Sequence, residues 1–248
     1  MFSSAEVTYP PLDTLKPVAE NLWIVDSGPM RVLGIIPLPL RMTVVRLGSG
    51  DVLLHSPTRY DAGLHQALGE IGPVRHILAP SFAHWTKVEA WQRACPEAVT
   101  WAAPNLRKRA PVKASSVKLD RDLGEKAPAE WAGEMGHVVV PGGGGFREVC
   151  LLHEPSRTLV LTDLVINLEP EKLPLLMRPW ARLVGMTAPN GRAPIYLRAL
   201  VKRGGEPARQ AARRLVEWGP ERVIFSHGRW FERDGTRTLR RSLDWLVG

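Results

Sequence analysis

Residues 156–167, SRTLVLTDLVIN, constrain the fold of this chain more than any other stretch. With the preceding VCLLHEP, they predict two apolar strands joined by a tight turn at Pro155 and Ser156. The second strand runs into an acidic residue, Asp163. Because α/β folds place their chemistry at the carboxyl ends of buried strands, this carboxylate is the first candidate for a functional group.

The elements around this hairpin are predicted from apolar periodicity and turn residues. In the first half we predict a strand at 21–28, a hairpin at 41–57, a helix capped by Asp61, a strand at 75–81, a helix at 84–95 and a strand at 98–104. In the second half we predict a strand at 137–141, the hairpin at 148–163, a helix at 206–218, a strand at 222–226 and a terminal helix at 236–247. Two β-rich halves, each closed by βα units, predict an α/β fold: an αββα sandwich of two mixed sheets with helices on the outer faces.

A chain of 248 residues favours one large domain. We expect residues 1–20 to form an N-terminal arm and residues 21–248 to form a single domain. Pro37 and Pro39 exclude a central strand, so we expect residues 30–40 to form a loop or flap.

An insert at 168–205 follows the Asp163 strand and shows no clear periodicity. Loops of this length are often lids or binding elements. Its segment 173–186 is rich in Leu, Met, Trp and Arg. Two interpretations stay open: a buried amphipathic helix that begins after Pro174, and a lid, partner surface or membrane-surface patch.

Composition restricts the class of protein only coarsely. The net charge of +8 permits an anionic partner such as nucleic acid or acidic lipid, but it is equally typical of a solvated basic surface. Cys95 and Cys150 lie in apolar segments, which favours free thiols in a reducing compartment. No signal peptide or spanning segment is predicted, so we expect a cytoplasmic protein. The absence of a Gly-x-Ser-x-Gly motif gives no support to a serine hydrolase.

A series of segments carries a resemblance to a known superfamily: VLLHSP, APSFAHWTKVEAW, HVVVPGG, SRTLVLTDLVIN and VIFSHG. In this order they resemble the metallo-β-lactamase fold over most of residues 20–230. The segment HEPSRTLVLTDLVIN is the most specific part. It is similar to a bacterial and plant family within that fold that is known only as a domain of unknown function.

The resemblance implies metal ligands at four strand ends, and each can be compared with this sequence. The superfamily's HxHxDH turn aligns with residues 81–86, which retain one histidine, His84, one position out of register. Its Pro-Gly-His aligns with Pro141, Gly142 and Gly143, so the ligand histidine is replaced by glycine. The acid after the hairpin is kept as Asp163, and the terminal histidine is kept as His227.

The resemblance therefore implies one metal site made by His84, Asp163 and His227, with Asp163 and His227 also catalytic. Three such ligands suit one zinc or iron ion with an open position for water, but they do not hold two metals. Trp85 cannot replace the lost aspartate of the HxHxDH turn, so a metal-free descendant is equally consistent with the sequence.

Further residues are predicted from their positions in these motifs. We expect His55, Ser81 and Gly143 to line the same cleft. His153 lies at the closed end of the hairpin, so we expect it to hydrogen-bond the turn and not to bind metal.

Three functional hypotheses follow. The first is a non-catalytic protein that binds a small molecule or protein partner, and the second is a mononuclear metal-dependent hydrolase of a small molecule. The third is a peripheral membrane or RNA-associated protein.

Overall fold

Two β-sheets face one another in the computed structural model, which describes residues 7–32, 36–124 and 127–248. The first sheet has seven strands in sequential order: β1 (Lys16–Ala19), β2 (Leu22–Val32), β3 (Ile36–Arg46), β4 (Val52–His55), β5 (Val74–Ala79), β6 (Val99–Ala102) and β7 (Arg121–Asp122). Strands β1 to β4 pair antiparallel, and β4 to β7 pair parallel. The predicted N-terminal arm thus contributes its residues 16–19 to the edge of this sheet.

The second sheet has the order β11-β10-β9-β8. Its strands are β8 (Met135–Pro141), β9 (Arg147–His153), β10 (Thr158–Val160) and β11 (Arg222–Ile224). The predicted hairpin forms β9 and β10, with His153 opposite Thr158. Strand β11 pairs parallel to β10, so both sheets are mixed.

Helices cover the outer faces of both sheets. They are α1 (Ala62–Ile71), α2 (Val88–Ala94), α3 (Ala110–Lys113), α4 (Arg178–Leu183), α5 (Ile195–Lys202), α6 (Gly205–Glu217), α7 (Gly235–Ser242) and α8 (Asp244–Val247). The predicted αββα sandwich is therefore confirmed. Among the described residues, none of the helices combines the length and apolarity that crossing a bilayer requires.

Alternation along the strands explains the layers. Ile24 and Val45 belong to the core between the sheets, while Val25 and Val44 pack on the outer side with the first-half helices. This is the period of two that a strand imposes on its side chains. Helix α1 buries Leu64 and Leu68 in the same outer core, and the Asp61 side chain caps it by accepting the Leu64 N–H at 2.9 Å.

The expectation of a loop or flap at residues 30–40 was wrong for residues 30–32 and 36–40, which form strands. Residues 33–35 lie outside the described part of the chain. Strand β2 continues to Val32, and β3 begins at Ile36 and includes Pro37 and Pro39. Strand β4 pairs with β3 only over Thr43–Arg46, so the proline half of β3 is paired with β2 alone and has one open edge. Proline is tolerated in strands at such edges.

Two helices differ from their predicted bounds. The helix predicted at 84–95 begins only at Val88, which leaves His84 in the preceding turn. The terminal helix is interrupted at Leu243 between α7 and α8. In the insert, a 3₁₀ turn at Leu175–Met177 leads into α4, and α5 forms where no periodicity was recognised.

A buried arginine joins the first sheet to the end of β11. Arg41, on β3, is 3% exposed and contacts the Asp26 carboxylate at 2.7 Å. Its guanidinium also donates to the carbonyls of Phe225 and Gly228, at 3.1 and 2.7 Å. Lys16 contacts the other Asp26 oxygen at 2.8 Å. Arg41 therefore fixes the backbone of 225–228 relative to the first sheet.

We predict that Arg41→Met lowers the free energy of unfolding by about 3–5 kcal/mol, because two buried carbonyls lose their donor and a buried carboxylate loses its main partner. Urea denaturation measures this loss. Arg237→Met is the matched control, since Arg237 pairs with Asp234 on the surface and its removal costs less than about 1 kcal/mol. Equal losses in the two variants would contradict the prediction.

Candidate metal centre

Three strand ends from both sheets meet at one point. His84 lies in the turn after β5, Asp163 follows β10 and His227 follows β11. Each residue therefore lies beyond the carboxyl end of a strand that has a parallel neighbour. This convergence is what the fold makes available for a site, because parallel strands deliver their following loops to one edge.

Both histidines point the same nitrogen at the Asp163 carboxylate. His84 Nε2 lies 3.2 Å from Asp163 Oδ2, and His227 Nε2 lies 3.3 Å from Asp163 Oδ1. One ligand atom from each of the three residues lies within 4.8 Å of the other two. The side chains are 8%, 17% and 4% exposed for His84, Asp163 and His227, so the carboxylate is the most accessible of the three. We call these three residues the metal triad.

The Nδ1 atoms of both imidazoles have hydrogen-bond partners on the side away from Asp163. His227 Nδ1 lies 2.8 Å from the carbonyl oxygen of Pro39. Since a carbonyl only accepts, Nδ1 carries the proton, and in the neutral ring the lone pair is on Nε2. His84 Nδ1 lies 2.7 Å from Ser56 Oγ, and Ser56, with a φ of 56°, adopts the left-handed conformation just beyond β4. Such outer contacts orient metal-binding histidines.

The donor set fits a divalent transition metal. Two imidazole nitrogens and one carboxylate are ligands that zinc and iron accept. The two Nε2 atoms face different oxygens of the same carboxylate, and one ligand atom from each residue lies within 4.8 Å of the other two. The three residues therefore have the chemistry to hold one ion and lie close enough together to share it.

The electrostatics of the triad depend on the histidines. Burial alone would raise the pKa of Asp163, but His84 and His227 outweigh it and hold this pKa well below its usual range. Asp163 is consequently a carboxylate at neutral pH. An anion at this position attracts a cation, whether a metal ion or a protonated imidazole.

A second buried carboxyl group lies behind Asp163, and sequence reasoning missed it. Glu148, the second residue of β9, is 0% exposed. Its side chain accepts the N–H groups of Thr162, Asp163 and Leu164 at 2.8, 3.2 and 3.4 Å. Burial and the nearby Asp163 raise the pKa of Glu148 to about 7. The available signal was an acidic residue directly before the apolar run VCLL of the predicted strand, since buried acids are rare without a partner.

The three residues predicted to line the cleft occupy different environments. His55 ends β4 and is 1% exposed, and Ser81 is fully buried in an isolated bridge with Glu148. Gly143 lies in the turn between β8 and β9, where a Cβ would meet the side chain of Arg203. His55 and Ser81 thus belong to the layer beneath the site, and the turn with Gly143 packs against the end of the insert.

His153 and Trp85 take local roles. His153 Nδ1 contacts Ser156 Oγ at 2.7 Å in the hairpin turn, as expected from its position. The Trp85 indole donates to the Phe82 carbonyl at 3.1 Å and packs against the outer core of the first sheet. Trp85 therefore contributes no group that replaces a metal-binding acid.

His55 is a source of acid sensitivity. Burial and then the charge of His84 lower the pKa of His55 to about 3. Its Nε2 has no hydrogen-bond partner among the described residues, so protonation would place an unpaired charge in the core. In the unfolded chain a histidine takes up its proton near pH 6.5.

We predict that His55 makes the native state less stable as the pH falls below about 6.5, because only the unfolded state then binds the proton. From pH 8 to pH 5 the contribution is about 2 kcal/mol. His55→Gln removes it, so the stability difference between wild type and variant shifts by that amount over this range. Urea denaturation at several pH values measures the shift, and a constant difference from pH 8 to pH 9 is the internal control. A difference that stays constant down to pH 5 would contradict the prediction.

Solved structures share this architecture. A metallo-β-lactamase from Pontibacter korlensis has a TM-score of 0.61 at 16% identity, covering 94% of this chain and 98% of its own. The DIM-1 metallo-β-lactamase exposed to ceftazidime has a TM-score of 0.65 at 17% identity, covering 94% of this chain and 95% of its own. The metallo-β-lactamase FIM-1 from Pseudomonas aeruginosa, in its mono-zinc form, has a TM-score of 0.61 at 14% identity, covering 94% of each chain. At these identities the likeness shows the fold.

Sequence comparisons give the family. A search of curated proteins found no match to the chain. The profile of the domain of unknown function DUF4336 matches residues 20–192, which is more than half of the chain. The chain therefore belongs to the DUF4336 family and has the metallo-β-lactamase fold.

Proposed function

We propose that this protein binds one zinc or iron ion at the metal triad and uses it to hydrolyse a small molecule. One observation carries the proposal: two imidazoles aim Nε2 at the same carboxylate while their Nδ1 atoms are held by Ser56 and Pro39. A mono-zinc metallo-β-lactamase shares the fold, which supports a one-metal reading.

Each residue of the site has a defined role in this proposal. His84 and His227 supply their Nε2 atoms, and Asp163, the most exposed of the three side chains, supplies a negative charge. Glu148 fixes the backbone of 162–164 and thereby the direction of the Asp163 side chain. A metal ion bound by three protein ligands supplies Lewis-acid chemistry and makes water nucleophilic near neutral pH.

The residues around the triad favour one ion over two. Gly143 and Trp85 stand where active superfamily members carry a histidine and an aspartate, and neither offers a ligand atom. Within the described residues, the triad is the one cluster of His, Cys, Asp and Glu whose ligand atoms meet this closely. A second ion would lack a protein ligand set of its own.

We predict that untagged protein, purified without chelators and dialysed, contains about one equivalent of zinc or iron. Asp163→Ala and His227→Ala should contain almost none, because two remaining ligands do not hold an ion against dialysis. His153→Gln, which alters a histidine in the distant hairpin turn, is the matched control and should keep its metal. Elemental analysis measures the content. A wild-type protein with far less than one equivalent after zinc reconstitution would contradict the proposal.

The contact between Ser56 and His84 gives a second prediction. Ser56→Ala should weaken zinc affinity by about 10–100-fold while the three ligands remain, because the His84 ring loses the group that orients it. Competition with a chromophoric chelator measures the affinity. Ser49→Ala is the control, since Ser49 hydrogen-bonds Asp51 in the exposed turn between β3 and β4. Equal affinities in wild type and Ser56→Ala would contradict the assigned role.

A non-catalytic binding protein is the second candidate, and the absence of an acid at Trp85 is the observation that favours it. Such a protein would bind the ion or a ligand in the cleft without turning it over. Zinc-loaded protein assayed with chromogenic esters, phosphodiesters and β-lactams separates the two. Turnover that is lost in His227→Ala and restored by zinc in chelator-treated wild type supports the hydrolase. Full metal content without turnover in any class supports the binding protein.

A further inference from the structure

The insert exposes an apolar surface that folding does not require. Six of its large apolar side chains are exposed, and we call them the apolar ridge: Leu175 (66%), Leu176 (95%), Trp180 (44%), Leu183 (83%), Ile195 (61%) and Tyr196 (70%). Among the described residues, the other exposed large apolar side chains are Met30 and Tyr60. A concentration of this kind on one segment marks an interaction surface.

Helix α4 and the 3₁₀ turn before it carry apolar residues on two faces, one exposed and one buried. Leu176, Trp180 and Leu183 are spaced i, i+4, i+7, so they share the outer face of the 3₁₀ turn and α4. On a different face, Ala181 and Val184 are buried in a small core. The other members of that core are Leu38, Ile166, Leu168, Leu173 and Met186. The insert is thus anchored by one apolar face and presents a second one outward.

Charge limits what the ridge can contact. From residue 173 to residue 205 the chain contains no Asp or Glu, and its charged residues are all basic. They are Arg178, Arg182, Arg192, Arg198, Lys202 and Arg203. Within the described part of the chain, only Arg192 of these pairs with an acidic side chain, Asp244. The segment that carries the ridge therefore has a net charge of +6 in its own sequence, which is complementary to an anionic surface.

We propose that the apolar ridge and its surrounding cations dock onto the surface of an anionic lipid bilayer. Protruding leucines with a tryptophan, flanked by arginine and lysine, are the composition of segments that lie in the membrane interface. Clustered basic residues add an attraction to anionic lipid that falls with salt. Single-stranded nucleic acid is bound by stacking its bases on aromatic side chains, whereas the most exposed members of the ridge, Leu176 and Leu183, are aliphatic.

The ridge is anchored to the segment that leaves the triad. The core beneath it includes Ile166 and Leu168, which follow Asp163 by three and five residues. Docking itself does not depend on whether the triad holds metal or turns over a substrate.

Vesicle sedimentation of the full chain tests the proposal. We expect binding to vesicles of phosphatidylcholine with phosphatidylglycerol, little binding to phosphatidylcholine alone, and weaker binding at high salt. The double variant Leu176→Ser/Leu183→Ser should bind the anionic vesicles about tenfold more weakly, because it removes apolar contacts while the charge is unchanged. Tyr60→Ser is the matched control, since Tyr60 is an exposed apolar residue outside the ridge.

A charge variant separates the ridge cations from the net charge of the chain. Arg182→Glu/Lys202→Glu should weaken binding more than a double variant of equal charge outside the ridge, Arg237→Glu/Arg240→Glu. Both the serine and the glutamate variants of the ridge should keep the wild-type metal content and thermal midpoint, which distinguishes failure of docking from failure of the metal site.

Four results would overturn the proposal. The first is no sedimentation with anionic vesicles, and the second is sedimentation that the serine variant leaves unchanged. The third is a dimer in solution that the serine variant abolishes, which would make the ridge an interface between two copies. The fourth is RNA binding that depends on the ridge while vesicle binding is absent.

Discussion

The site depends on keeping one carboxylate ionised in a cleft that is mostly closed to water. Asp163 remains charged because two imidazoles face it. The loop that carries it is held in place by three N–H groups donated to Glu148. The imidazoles are in turn fixed by Ser56 and by the Pro39 carbonyl. Both imidazoles and the loop that carries the carboxylate are thus held by hydrogen bonds, so the triad is preorganised for a cation.

The two sheets are joined at the same place. Arg41 reaches from β3 to the carbonyls of Phe225 and Gly228, and the Pro39 carbonyl on the same strand accepts from His227. The edge half of β3 has no β4 partner there, which leaves its backbone free to bind the other sheet. The fold and the candidate site therefore share their supporting contacts, and a change at Arg41 should affect both.

Much of the architecture could be predicted from the sequence, because strand and helix periods mark apolar faces locally. The hairpin that ends at Asp163 and the role of His153 followed from turn residues and register. Pro37 and Pro39 led to the wrong prediction of a loop at residues 30–40. Proline is excluded from strands that are paired on both sides, and the sequence does not reveal which strand has an open edge. The supporting roles of Ser56 and Glu148 could not be predicted either, because they join segments that are distant in sequence. The resemblance identified the triad, but the direction in which His84 points depends on the turn before α2.

The central claim is that the triad binds a single metal ion through His84, Asp163 and His227. A crystal structure of the zinc-loaded protein, with anomalous data on both sides of the zinc edge, tests it most directly. The account predicts one anomalous peak at about 2.0–2.2 Å from His84 Nε2, His227 Nε2 and an Asp163 oxygen. The account would be contradicted if there were no peak at the triad and both imidazoles were hydrogen-bonded to Asp163. Two peaks at the site would also contradict it.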